Sequence, residues 1–210
     1  MTSPQRRLLL RSMMAPVAAA LTAHPGRFPL LFMAATPTLA AAEPTRWVRP
    51  PRLPDVALLD HTGSEIRLHK LLSQARTTLV SFMFTGCAAA CPPQTAILRE
   101  TSRLLRQRAD ARDVQIVSLT VDPLADGPEQ LRAYAQRFDV ALGVQPGWAM
   151  VTGAPASMSR TLSAFDVPPG PPGDHPSLLW LGDTPRDRWT RTTGLNPPQS
   201  LVDLVLESRR

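Results

Sequence analysis

Residues 77–92 read TTLVSFMFTGCAAACP, an apolar and β-branched run that breaks at Thr85-Gly86 and carries two cysteines into a proline-led stretch. The run from Thr77 to Phe84 suits a strand buried on both faces. From Pro92 to Arg108, Ile97, Leu98, Leu104 and Leu105 recur at helical spacing, so the cysteine pair lies at a strand-to-helix junction. The pattern then repeats. Val114 to Val121 reads as a second buried strand, and Asp126-Gly127-Pro128-Glu129 starts a helix through Phe138, with proline in its first turn. Strand and helix in alternation predict a parallel βαβ core.

Upstream of this core, Val56 to Leu59 and Ile66 to Leu68 flank the turn Asp60-His61-Thr62-Gly63 and predict a hairpin capping one edge. Downstream come a short strand near Trp148 to Val151, a helix from Pro155 to Phe165, and a stiff loop from Pro168 to Pro172. Ser177 to Leu181, Arg186 to Thr192 and Pro198 to Ser208 read as strand, antiparallel strand and closing helix. The predicted fold is α/β and thioredoxin-like, a central mixed sheet flanked by helices with an N-terminal β-hairpin. Nothing resembles a glycine-rich phosphate loop or a serine nucleophile elbow.

The chain has 210 residues, 43% of them hydrophobic, enough for one domain with a sizeable core plus a leader. Its net charge of +6 suggests a polyanion partner until the basic residues are located. Arg6, Arg7, Arg11 and Arg27 all precede residue 43, and no acidic residue does, so 19 basic groups face 17 acidic ones thereafter. That balance does not call for nucleic acid. Residues 1–42 read as an export signal: a charged start, apolar stretches from Met13 and from Phe28, and Ala40-Ala41-Ala42 before Glu43. Arg6-Arg7 also resembles a twin-arginine signal. Pro25, Gly26, Arg27 and Pro29 interrupt the apolar run, which favours a cleaved leader over a membrane anchor. Residues 43–52 form a proline-rich linker, and residues 53–208 the domain. The expected location is the bacterial periplasm or the outer face of the inner membrane.

Cys87 and Cys91 are the only cysteines. Their i, i+4 separation turns both sulfurs toward one face at a helix start, where the helix dipole favours thiolate. Two thiolates with an imidazole make a soft, low-coordinate donor set suited to copper(I). A structural disulfide is the plainer alternative, although so short a loop constrains the unfolded chain little; a buried inert pair is another. His24 falls in the leader, while His61 in the hairpin turn and His69 beside Lys70 read as solvated surface groups. His175 follows the proline-rich loop and precedes the strand at Ser177, which predicts a place beside the cysteine-bearing helix start. Asp122, at the end of the second core strand, could orient a ligand or simply start the turn before Pro123.

With these residues in order, the sequence resembles the Sco/SenC family of copper proteins, which serve assembly of the copper site of cytochrome c oxidase. The resemblance rests on Phe84-Thr85-Gly86-Cys87 through Cys91-Pro92 for a CxxxCP motif, on Val121-Asp122-Pro123 with Asp126 for a VDPxxD segment, on the helix Leu131 to Phe138, and on Asp174-His175 for a distal histidine. It extends from Leu53 to Leu206. It implies that Cys87, Cys91 and His175 bind one copper ion per chain, as Cu(I) with Cu(II) left open. It further implies a metallochaperone rather than an enzyme, with no catalytic residue to assign, whose partner is the copper-bearing subunit of the oxidase or another copper chaperone. Ala88 departs from the proline the family often carries after the first cysteine, as does the want of a membrane anchor. Pro176 could fill the place where thioredoxin folds usually hold a cis-proline next to the thiols. This keeps open a thiol–disulfide reductase in which Cys87 attacks and Cys91 resolves. A thiol peroxidase ranks last, because it requires neither this spacing nor a third-ligand histidine.

Overall fold

A computed structural model describes residues 46–143 and 147–210; residues 1–42, expected from the sequence to be an export signal, and the first residues of the expected linker lie outside them. In chain order the elements are β1 (Ala57–Asp60), β2 (Glu65–Arg67), α1 (Leu68–Leu72), β3 (Thr77–Met83), α2 (Cys91–Arg106), β4 (Val114–Thr120), α3 (Pro128–Arg137), β5 (Trp148–Thr152), α4 (Pro155–Ala164), β6 (Leu178–Asp183), β7 (Arg188–Thr193) and α5 (Pro198–Ser208). The strands form one mixed sheet in the order β2-β1-β5-β4-β3-β6-β7. β3, β4 and β5 run parallel, while β6, β7 and the β1–β2 hairpin are antiparallel additions at the two sides. The thioredoxin-like architecture expected from the sequence is the one observed.

Every residue of β3 and of β4 is buried, as continuous apolar runs at the centre of a doubly covered sheet require. Alternate residues supply two cores. Leu79, Met83, Ile116, Leu179 and Leu181 meet α2, α3 and α5 on one face through Leu98, Leu131 and Leu201. Val80, Phe82, Val117, Leu119 and Trp180 meet α1 and α4 on the other, through Leu68, Leu71 and Met158. Ser81, Ser118 and Trp148 satisfy one another inside this sheet: the Ser81 and Ser118 hydroxyls lie 2.8 Å apart, and Trp148 Nε1 donates to Ser118 Oγ at 2.9 Å.

Helices α3 and α4 each stop in a left-handed aspartate, Asp139 at φ 53° and Asp166 at φ 59°. Behind each, a valine N–H reaches back into the last turn, Val140 to the Ala135 carbonyl at 2.8 Å and Val167 to the Leu162 carbonyl at 3.0 Å. That is Schellman bonding, with aspartate where glycine is commonest.

Two local expectations change. Leu68 does not end the hairpin strand but opens α1, a five-residue helix too short to show a period. His61 is not a solvated surface group: it is 9% exposed, its Nδ1 has no partner, and the Arg132 guanidinium donates to its carbonyl at 2.7 Å. Burial lowers its pKa, so the ring is neutral near pH 7. The described part of the linker packs against β7. Val48 pairs with Trp189, Thr190 Oγ1 donates to the Arg46 carbonyl at 2.8 Å, and the Arg188 guanidinium lies 3.9 Å from the centre of the Trp47 ring. The segment thereby covers the exposed edge of β7.

Candidate metal centre

The turn after β3 carries Cys87, and α2 begins at Cys91. Pro92 and Pro93 occupy the first turn of α2, where a missing N–H costs nothing because that donor has no partner inside the helix. The residue before the helix is Ala90, which cannot cap it with a side chain. The sulfur of Cys87 caps it in part instead, since the Cys91 N–H donates to Cys87 Sγ at 3.3 Å. The Cys87 N–H in turn donates to the Phe84 carbonyl at 3.2 Å, closing the turn.

This geometry makes the two thiols unlike. Cys87 is partly exposed and Cys91 is buried, and both are free thiols. Burial acts to raise the Cys87 pKa, but hydrogen bonds from the Cys91 side chain and from the backbone amides of Cys91, Ala89 and Ala90 outweigh it, and the net shift is downward. At Cys91 burial dominates, donation to Cys87 adds to it, and the pKa is pushed up to about 12. The inner sulfur therefore keeps its proton to higher pH than the outer one, and Cys87 is the readier nucleophile. Iodoacetamide at pH 7 is expected to alkylate Cys87 and to spare Cys91, with the midpoint of the Cys87 labelling profile shifted downward from that of an unperturbed thiol. Equal labelling of the two by peptide mass mapping would contradict this polarity.

His175 follows a short 3-10 turn at Pro172–Asp174. Its ring stands edge-on to Phe84, 6.1 Å between centroids at 78°. Nδ1 lies 3.1 Å from the Pro176 carbonyl, which only accepts, so Nδ1 carries the proton and Nε2 keeps its lone pair. Burial lowers the His175 pKa, which further favours the neutral, metal-competent imidazole. The structure thus brings Cys87 to Cys91 and His175 to the ring of Phe84, three residues before Cys87. It does not gather all three into one cluster: among the described residues no group of three His, Cys, Asp or Glu side chains is placed to hold a metal ion. His175 also forms part of the wall of a pocket of about 160 Å³ with Val121, Pro123, Met158, Leu162 and Val167.

Asp122 lies at the turn after β4. Its Oδ1 is 3.4 Å from the Ala125 N–H, its carbonyl accepts from Ala125 and Asp126, and its own N–H donates to Thr120 Oγ1 at 3.0 Å. It has the bonds of a turn starter. The residue that the sequence patterns pass over is Asp126, which they mark only as part of a helix start and a motif. It is 1% exposed, and its carboxylate reaches back to Thr85 in the cysteine-bearing turn. A buried acid in a polar turn has no periodic signature; only its place in the VDPxxD segment distinguishes it.

A family model described as SCO1/SenC matches residues 53–176. The chain belongs to this family. The SCO1 protein homolog of Bacillus subtilis (strain 168) is 33% identical over 91 residues, 43% of this chain and 44% of that protein. The chain spans about half or less of the length of the curated relatives it matches. Among solved structures, Arabidopsis thaliana ScoI with copper bound superposes with a TM-score of 0.61 at 22% identity, over 73% of this chain and 95% of that one. BsSco, described as a member of the Sco family of cytochrome c oxidase assembly proteins and as having a disulfide switch, gives 0.63 at 24% identity, over 78% and 96%. At such identities the structural likenesses establish the fold that the family shares.

Proposed function

We propose that this protein is an exported copper carrier that takes up one copper(I) ion through Cys87, Cys91 and His175 and passes it to the copper-bearing subunit of cytochrome c oxidase. The observation that carries the reading is the dithiol itself, two free thiols side by side at a helix start in a chain of the SCO1/SenC family. Membership of a family that includes a copper-bound ScoI supports copper as the cargo. Uptake displaces the proton that Cys91 holds, because a coordinating sulfur must be thiolate. The neutral His175, with Nε2 free, supplies a third donor once its ring leaves Phe84. Release follows by exchange for the acceptor's own soft ligands. Asp122 has no part in this reading. The apolar and basic N-terminal segment, residues 1–42, supports export to the periplasm.

Anaerobic titration of the reduced full-length chain with copper(I), against a chromogenic chelator, is expected to show one tightly held ion per chain. A folded, fully reduced chain that leaves the metal with the chelator would overturn the reading.

The unlike thiols favour a second reading, that of a thiol–disulfide reductase. In it the Cys87 thiolate attacks a partner disulfide and expels one partner thiolate. Cys91 then gives up its proton and attacks Cys87 Sγ, expelling the second. The partner leaves as a dithiol, Cys87 and Cys91 leave as a disulfide, and an external thiol reductant must reset them.

A further inference from the structure

Between β4 and α3 the carboxylate of Asp126 is taken out of water, 1% exposed, and receives three hydrogen bonds. Oδ2 accepts from the Thr85 N–H at 3.0 Å and from the Thr120 hydroxyl at 2.6 Å, and Oδ1 accepts from the Thr85 hydroxyl at 2.5 Å. Two of the three donors belong to one residue, Thr85, two positions before Cys87. Thr120 is itself fixed, since its Oγ1 accepts the Asp122 N–H, and the adjoining Val121 N–H bonds the Met83 carbonyl at 2.9 Å. The turns that leave β3 and β4 are thus laced together through a single carboxylate. Among the described residues no ion pair compensates Asp126; it is held by hydrogen bonds alone.

Burying a carboxylate without a cation is costly, and a turn between strand and helix can be closed by neutral side chains. What the carboxylate supplies is acceptance of a backbone and a side-chain donor of the same residue at once, which fixes the entry of the Phe84-to-Cys87 turn in position and direction. The Phe84 carbonyl that receives the Cys87 N–H lies in that turn. We propose that Asp126 is a positioning residue for the dithiol: through Thr85 it holds the cysteine-bearing turn so that Cys87 Sγ stays against the N-terminus of α2. Partners behind metal ligands are worth about 10–100-fold in affinity. The proposal rests on the copper-carrier reading for one of its two readouts and not for the other.

The test uses reduced full-length chains carrying Asp126→Ala, Asp126→Asn, Thr85→Val or Thr85→Ser. Copper(I) affinity is read by chelator competition, the dithiol–disulfide equilibrium against glutathione, and unfolding by urea. Asp126→Ala and Thr85→Val are expected to weaken copper binding about 10–100-fold and to shift the glutathione equilibrium about tenfold, or about 30 mV for this two-electron couple. Thr85→Ser, which keeps both donors, is expected to restore both readouts. Asp126→Asn keeps an oxygen for Oδ2's two donors and is expected to fall between. A purely structural role would lower the urea midpoint and leave both readouts of the folded chains unchanged, and that result overturns the proposal. If Asp126→Ala does not fold, Thr85→Val, which retains the carboxylate and the shape of the side chain, decides alone. If the unaltered chain itself fails to hold copper, the carrier reading falls; the glutathione shift then judges the positioning role, and its absence overturns it.

Discussion

Replacing Cys91 with alanine is expected to weaken copper(I) binding by more than about a hundredfold, beyond what loss of a partner behind a ligand brings. Copper(I) prefers polarisable sulfur, and the chain has two cysteines in all. With Cys91 gone, one thiolate and one imidazole remain, and the helix start keeps no second sulfur. Cys87→Ala should behave alike although the two thiols differ in exposure, because both must coordinate as thiolate. His175→Ala should cost less, since the dithiol survives it. Chelator competition on the folded, reduced chains measures all three. A Cys91→Ala chain within threefold of the parent would remove the dithiol from the ligand set. The same series separates the rival readings: disulfide exchange needs both sulfurs but not the imidazole, so His175→Ala should leave exchange nearly intact while weakening copper binding.

The largest expected loss of stability lies on the opposite face of the sheet. Phe165, fully buried at the end of α4, is the meeting point of an aromatic group, 5.9 Å from Phe82, 5.8 Å from Trp180 and 6.1 Å from Trp189 between ring centroids. The left-handed Asp166 that follows holds it there, and the Trp180 indole donates to its carbonyl at 2.8 Å. Three tilted rings cannot close over the volume of a missing fourth. Phe165→Ala is therefore expected to cost about 3–5 kcal/mol, a large part of the total stability of an ordinary domain. Urea unfolding followed by far-UV circular dichroism measures it, and a loss below about 1.5 kcal/mol would show that the cluster collapses onto the gap. Copper binding by the dithiol should persist in the folded fraction, because these rings belong to the core on the far side from α2.

The elements most legible in the sequence are those whose signal is contiguous. β3 and β4 are runs buried on both faces, and α2, α3 and α5 carry an apolar stripe or a proline at the first turn, so their bounds lie within a residue or two of expectation. α1 was hidden because five residues between a strand and a turn make little more than one helical turn. His61 looked exposed because a turn histidine beside Asp60 and Thr62 carries no mark of the strands and helix that close over it.

The site divides along the same line. That Cys87 and Cys91 share a helix start follows from the sequence by itself, since an i, i+4 spacing at a strand-to-helix junction is a local relation. So does the seven-strand plan, which the order of apolar runs and breakers dictates. Tertiary structure alone decided that Cys91 is the buried, proton-bearing sulfur, that His175 rests on Phe84, and that Asp126 rather than Asp122 reaches the cysteine turn. Each of those depends on how segments far apart in the chain are brought together by the sheet. Hydrophobic periodicity specifies which face of an element is buried, but not which polar side chain a neighbouring turn will meet.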